Sequence, residues 1–259
     1  MKLLTLNCHS WREENQLDKI KYLAKVISEE KYDVITLQEV SQRLNDGKGV
    51  TKENYISVLL EELKSLGVEE YDYFWDMAHI GYDIYEEGLA ILTRHKIIDK
   101  ESFFITKNED IKNYKVRKIV KANICIENKE YAFLSCHLGW WHDEEESFKD
   151  QVSSLLSKVS KDKTTFLMGD FNNNAFIKDE GYDYLLNQNL YDTYSLAKEK
   201  DNGITVPGKI DGWSNCSEEK RLDLILTNDK NMVPKTSKVI FNGKNKNIVS
   251  DHYGVEVVL

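Results

Sequence analysis

The chain has 259 residues, 41% hydrophobic and 31% charged, with only two prolines, four cysteines and a formal net charge of −9. This is a globular composition without low-complexity or Pro-rich linkers, and the length suits one α/β domain or two small ones. The acidic balance speaks against a general polyanion-binding surface, because duplex-binding proteins carry a Lys/Arg excess to neutralise phosphates.

Leu3, Leu4 and Leu6 predict a short strand ending at Asn7, and Leu17, Ile20, Ala24 and Ile27 recur at helical spacing within 14–30. The run YDVITLQEV predicts a buried strand with Gln38 and Glu39 at its tip; residues 41–52, with two glycines, read as a loop. A second helix is expected over 53–66, stopped by Gly67. From 71 to 138 the pattern turns to strands: YDYFWDMA, GLAILTR, IIDKESFFI, YKVRKIVKANICIE and YAFLSCHL, with turns expected at HIGYDIYEEG and IENKE. A helix over 144–160, a buried strand in TTFLMGD, a helix near 181–187, a polar loop over 200–219 and the strands RLDLILT, TSKVIF and YGVEVVL complete the chain. With no linker in this run, a single domain over 1–259 is expected, built as two packed sheets with helices outside.

Cys8, Cys125, Cys136 and Cys216 lack CxxC spacing, so buried reduced thiols are expected rather than a zinc site or a disulfide framework. The N-terminal MKLLTLNCHSW turns polar by Asn7, too early for a signal-peptide core, and no apolar run approaches the roughly 20 residues that span a bilayer. A cytoplasmic protein with no membrane association is the expectation.

Apolar strands repeatedly end in groups that can reach a metal or a phosphate: Asn7, Glu39, His137, Asp170 with Asn172 in TFLMGDFNNN, and Asp251 with His252. Asp223 sits inside RLDLILT, where a carboxylate needs a partner. Hard cations such as Mg²⁺ take oxygen ligands, often one or two carboxylates. Glu39 and Asp251 suit that role, with Asn7 as a neutral donor. A water attacking phosphorus then needs a proton acceptor and donors for the developing charge, which Asp170, Asn172, His137 and His252 can supply. Singly, each residue has a structural alternative: a turn at GD, a helix cap at Asn7 or Glu39, a packed histidine.

LNCHSW, ITLQEV, SCHLG, MGDFN, RLDLIL and VSDHYGV, in that order, resemble the endonuclease/exonuclease/phosphatase superfamily that includes deoxyribonuclease I. The resemblance implies a four-layer α/β sandwich, two mixed β-sheets flanked by helices, and Mg²⁺- or Mn²⁺-dependent hydrolysis of a phosphate ester. It implies Glu39 as principal metal ligand with Asn7 and Asp251 near the ion, Asp170 as the water-orienting residue and Asn172 on a phosphate oxygen. It further implies an Asp223/His252 pair, His137 as second catalytic histidine, Arg117 as a phosphate contact, and Glu87 as a histidine-orienting glutamate. For Arg117 a strand-edge surface charge stays open.

Without basic surface or export signal, a phosphatase of small molecules is expected over a nuclease or other phosphodiesterase, which stays the alternative. Tyr82, Tyr85, Trp140, Trp141 and Trp213 fall in loops or strand tips, where aromatics stack on sugar rings or simply pack. Their segments, HIGYDIYEEGLAIL, CHLGWW and KIDGW, are similar to the bacterial maltose 6'-phosphate phosphatase branch, which implies a phosphorylated disaccharide as substrate and no nucleic-acid partner.

Overall fold

In the computed structural model, which describes residues 1–46 and 48–259, two mixed sheets face each other and helices cover their outer sides. In chain order the main elements are β1 (Lys2–Asn7), α1 (Gln16–Glu30), β2 (Val34–Arg43), α2 (Tyr55–Ser65), β3 (Asp72–Gly81), β4 (Tyr85–Thr93), β5 (Lys96–Phe104), β6 (Lys118–Ile126), β7 (Lys129–His137) and α3 (Phe148–Leu156). They continue with β8 (Thr165–Asp170), α4 (Gly181–Leu186), β9 (Tyr191–Asp192), α5 (Thr193–Leu196), β10 (Glu199–Lys200), β11 (Asp223–Thr227), β12 (Thr236–Ile240) and β13 (Gly254–Val258). One sheet runs β10-β12-β13-β1-β2-β4-β3, the other β5-β6-β7-β8-β11-β9.

Strand parity separates three cores. Leu4 and Leu6 of β1 and Ile35 and Leu37 of β2 face α1 and α2, where Ile20, Leu23, Ile27 and Leu59 bury against them. Leu3, Val34, Ile91, Phe133, Phe166 and Ile225 meet between the sheets. Leu134, Leu167 and Leu224 pack outward on Phe148, Val152 and Leu185 of α3 and α4. Helix, sheet, sheet and helix are therefore the four expected layers.

Helix α2 ends as expected at Gly67, whose φ of +77° needs no Cβ; Gly67 N–H donates to Lys64 O and Val68 N–H to Leu63 O, a Schellman closure. Other boundaries differ. β2 continues to Arg43 into the segment expected as loop, of which Gly47 lies outside the described residues. The turn expected at 79–88 shrinks to 82–84, because β3 and β4 pair as far as Gly81↔Tyr85. The helix expected over 144–160 covers only Phe148–Leu156, with Ser147 as its N-cap; Asp143 upstream accepts the N–H groups of Glu145 and Glu146 and holds that acidic stretch as a turn. Arg117 precedes β6 rather than lying within it, and the short β9, α5 and β10 carry no sequence pattern long enough to read. Among the described residues no helix is long and apolar enough to cross a membrane.

Candidate active site

The inner faces of the central strands change character along their length. Leu3, Thr5 and Asn7 follow each other at alternate positions of β1, as do Val34, Thr36 and Gln38 on β2, Phe133, Ser135 and His137 on β7, and Phe166, Met168 and Asp170 on β8. The apolar starts close the core; further along, Thr36 Oγ1 donates to Thr5 Oγ1 within one sheet at 2.8 Å, and Gln38 Nε2 donates to Ser135 Oγ across the two sheets at 3.0 Å. The tips of β7 and β8, His137 and Asp170, open into a cleft of about 1010 Å³. Register aligns these two with Asp223, the first residue of β11, since His137 pairs with Asp170 and Asp170 with Asp223 on neighbouring strands.

Glu39 reaches the same place by a different device. Parity would turn it toward the helices with Leu37, but the β2–β4 register shifts between Leu37 and Val40, and Glu39 takes φ +57°. This bulge re-aims its side chain into the cleft. Asn7 Nδ2 then donates to Glu39 Oε1 at 2.8 Å and to Asp170 Oδ2 at 3.2 Å, while Asn7 Oδ1 accepts His9 N–H. As arranged, Asn7 ties the Glu39 and Asp170 carboxylates together. Burial, then the Glu87 charge, push the Glu39 carboxyl up to about 8. Among the described residues neither Glu39 nor Asp170 pairs with Lys or Arg. A buried Asp170 and a part-buried Glu39 without a basic partner, with Asp251 also on the cleft wall, fit a hard divalent cation that would keep them ionised.

Asp170 Oδ1 accepts Asn172 N–H at 2.8 Å, and Oδ2, which also accepts the Asn7 amide, faces His137 Nε2 at 3.7 Å and His252 Nε2 at 3.8 Å. Burial raises its carboxyl to about 6, although the His252 charge pulls the other way. His252 Nδ1 meets Asp223 Oδ2 at 2.9 Å. Burial, then the charges of Arg117, His79 and His252, hold His137 well below the ordinary imidazole range and therefore neutral. The site thus sets a neutral and a charged imidazole on either side of one carboxylate.

Asn172, at φ +49°, donates from Nδ2 to Leu138 O and accepts from Trp213 Nε1, both at 3.0 Å. Arg117 is buried on the cleft wall, bonded to Tyr114 O at 2.7 Å, with its guanidinium 5.5 Å from the Trp140 ring centre. Tyr82 and Trp140 line the cleft. Trp141 and Trp213 do not, and both expectations are corrected. Trp141 packs edge-on against Phe148 at 5.8 Å, beside Tyr184, because α3 and α4 offer it an apolar seat; the Trp213 indole is spent on Asn172.

Glu87, expected to orient a histidine, has its Oε1 3.2 Å from His79 Nε2. Burial would raise Glu87, but the His79 bond and the Arg117 charge hold it below its ordinary value. Sequence reasoning missed His79, and it missed His9, whose Nδ1 is 2.7 Å from Glu13 Oε1 and 3.6 Å from Asp251 Oδ1. His9, Glu13 and Asp251 could together reach a cation, although Lys19 already pairs with Glu13. It missed, too, that the Tyr82 hydroxyl donates to Asp211 while Arg12 stacks on the Tyr82 ring at 3.9 Å. The sign at His9 was its place two residues past Asn7; the Tyr82–Asp211 contact left none.

The model of the Endonuclease/Exonuclease/phosphatase family matches residues 4–252. Among solved structures, the chain is similar to an endonuclease/exonuclease/phosphatase family protein from Leptotrichia buccalis C-1013-b, with 43% identity and a TM-score of 0.92 over 99% of this chain and 98% of that one. Two more distant structures share the fold. They are the Bacteroides thetaiotaomicron VPI-5482 mannosyl-6-phosphatase Bt3783 (18% identity, TM-score 0.73, 99% and 98% covered) and D. rerio TDP2 complexed with single strand DNA product (16%, 0.68, 99% and 97%). No curated protein matches the chain.

Proposed function

The chain belongs to the endonuclease/exonuclease/phosphatase family, a family of phosphoesterases and nucleases, and we propose that it is a divalent-metal-dependent phosphomonoesterase of a sugar phosphate, maltose 6'-phosphate being the favoured substrate. Family and fold leave the choice open, since one distant neighbour is named a mannosyl-6-phosphatase and another is bound to a DNA product. The observation that carries the reading is the cleft's rim. Asp83, Asp143, Glu144, Glu145 and Asp211 line the cleft beside Lys112 and Lys115, and Lys115 is neutralised by Asp143 and Glu145, so acidic groups outnumber basic ones there. An acidic rim repels a nucleic-acid strand, whose phosphates recur along its length. It suits a polyol, because carboxylates accept hydrogen bonds from hydroxyl groups and the Tyr82 and Trp140 faces can stack on a sugar ring.

Glu39 and Asp251 would hold the cation, with Asn7 orienting Glu39. When bound, Mg²⁺ or Mn²⁺ supplies charge neutralisation at the phosphate. Asp170 Oδ2 orients the attacking water and accepts its proton, a task matched to a carboxyl raised to about 6. Cationic His252, neutral His137, the free amide hydrogen of Asn172 and Arg117 hold the negative charge that builds on the phosphate oxygens. Water attacks phosphorus directly, and the P–O bond to the sugar breaks with its electron pair on the sugar oxygen. That oxygen takes a proton from cationic His252, which the proton accepted by Asp170 restores, so that inorganic phosphate and the free sugar leave. A trapped phosphoenzyme would contradict this.

The test compares phosphate release from maltose 6'-phosphate with nicking of supercoiled DNA in one Mg²⁺ buffer, with and without EDTA. Release that stops with EDTA and in Asp170→Asn is expected. Nicking that stops in Asp170→Asn, with no phosphate release, would make the protein a nuclease instead.

A further inference from the structure

The loop between β10 and β11 has no regular element over most of its length, yet a buried cation organises it. Lys220 is fully buried, and its ammonium donates to three backbone carbonyls, Gly208 O at 2.6 Å, Glu218 O at 2.8 Å and Cys216 O at 3.1 Å. Its backbone pairs with Val206, closing the base of the loop. All three donors of the ammonium are used within the loop, so Lys220 acts as an internal clamp rather than as a ligand for substrate. Trp213 sits inside the clamped loop, 5.8 Å from the Lys220 ammonium by its ring centre. At Gly212, φ +75°, a Cβ would stand 2.9 Å from the Trp140 ring, so the loop also seats on the cleft wall.

What the clamp presents is one hydrogen-bond donor. Trp213 Nε1 can only donate, and its acceptor is Asn172 Oδ1 at 3.0 Å. An amide whose oxygen is engaged by an indole must turn its nitrogen the other way, and one Nδ2 hydrogen goes to Leu138 O. The second Nδ2 hydrogen has no acceptor among the described residues, and Asn172 lines the cleft. Flipping the amide would set its oxygen against Leu138 O and its nitrogen against the indole N–H, two repulsive contacts in place of two bonds.

We propose that Trp213 is a positioning residue that fixes the Asn172 amide with its nitrogen toward the phosphate, and that Lys220 holds the loop delivering the indole. The inference rests on the reading above that Asn172 donates to a phosphate oxygen. It replaces the idea that Trp213 stacks on the sugar, and it makes the loop a determinant of turnover rather than of substrate affinity.

A double-mutant cycle on phosphate release separates these outcomes. Trp213→Phe keeps an aromatic ring and removes the donor; kcat is expected to fall about fivefold to tenfold, the effect of one lost hydrogen bond, with KM little changed. In an Asn172→Ala background the same substitution is expected to have almost no further effect. Lys220→Met gives an independent route: faster amide hydrogen exchange across 208–219 and a similar fall in kcat, again absent beside Asn172→Ala. Equal effects of Trp213→Phe in both backgrounds, or a rise in KM with kcat unchanged, would overturn the proposal in favour of direct substrate contact. Unchanged exchange in Lys220→Met would remove the clamp. A chain that releases no phosphate from any monoester fails the functional reading; an impaired Asn172→Ala enzyme with an additive cycle fails only this inference.

Discussion

His252 presents Nδ1 to Asp223 Oδ2 at 2.9 Å and Nε2 to Asp170 Oδ2 at 3.8 Å, so one imidazole is fixed by the first carboxylate and aimed at the second. Burial disfavours its cation, but the Asp223 and Asp170 charges outweigh burial and hold His252 well above the ordinary imidazole range. Asp223 itself is fully buried on β11, in register with Asp170. The pair thus carries a proton at neutral pH beside the carboxylate proposed to orient the attacking water.

Replacing Asp223 by Asn keeps the side-chain volume and removes the charge that sustains the imidazolium. Phosphate release by Asp223→Asn is expected to fall by roughly 10²–10⁴ in kcat, the usual range for a positioned acid–base group, with the melting transition little altered. Steady-state kinetics beside circular dichroism check it; near-wild-type turnover would mean that His252 acts without its carboxylate.

Tyr82, Asp211 and Arg12 come from three separate segments and meet at the cleft's edge, Tyr82 donating to Asp211 beneath the Arg12 guanidinium. Asp211→Ala removes the acceptor of the Tyr82 hydroxyl and leaves Asp170, Asn172 and His252 untouched. A rise in KM for the sugar phosphate of about tenfold is expected, about one hydrogen bond to a charged group, with kcat nearly unchanged. Measured beside it, hydrolysis of a bulky phosphodiester relative to the monoester should increase as the rim opens. A drop in kcat alone would place Asp211 among the reacting groups instead.

Strand-tip chemistry was legible because strands have a strict period. Once β1, β7, β8 and β11 are read as strands, Asn7, His137, Asp170 and Asp223 fall on the inner face with Leu3, Phe133, Phe166 and Ile225. Glu39 is the exception: its entry depends on a bulge at a non-glycine residue, for which the sequence carries no sign. The aromatic residues mark the other limit. Trp140, Trp141 and Trp213 look alike as loop residues, and only tertiary packing sends one to the cleft, one to α3 and one to Asn172. His79 and Glu87 needed the β3–β4 register, which the glycine and asparate-containing stretch at 81–83 disguised as a longer turn.

Gly169 gives a stability prediction one residue from the chemistry. It has φ +152°, and a Cβ there would lie 1.9 Å from Cys136 O on the neighbouring strand. Gly169→Ala must therefore push β7 and β8 apart where His137 and Asp170 pair. A loss of about 3 kcal/mol or more in urea unfolding is expected, in the class of backbone strain with a buried clash, together with loss of turnover.

Far from the cleft, Asp33 ties together the starts of β1 and β2 and the β4–β5 turn. Its Oδ2 accepts Lys2 N–H at 2.7 Å, and Oδ1 meets Arg94 at 2.8 Å and His95 Nε2 at 2.7 Å. Burial would raise its carboxyl, but the His95 bond, the Lys2 N–H and Arg94 outweigh burial and leave it below its ordinary value. A carboxyl depressed in the folded state stabilises above its unfolded value of about 3.9 and stops doing so as pH falls through the lower folded value. Asp33→Asn should therefore be less stable than wild type at pH 7, and the gap should narrow only below about pH 4. Urea midpoints measured from pH 7 downward read this directly. A gap that stays constant through the acid range would mean that Asp33 contributes its hydrogen-bond geometry alone, because an uncharged asparagine could not otherwise track a titrating carboxylate.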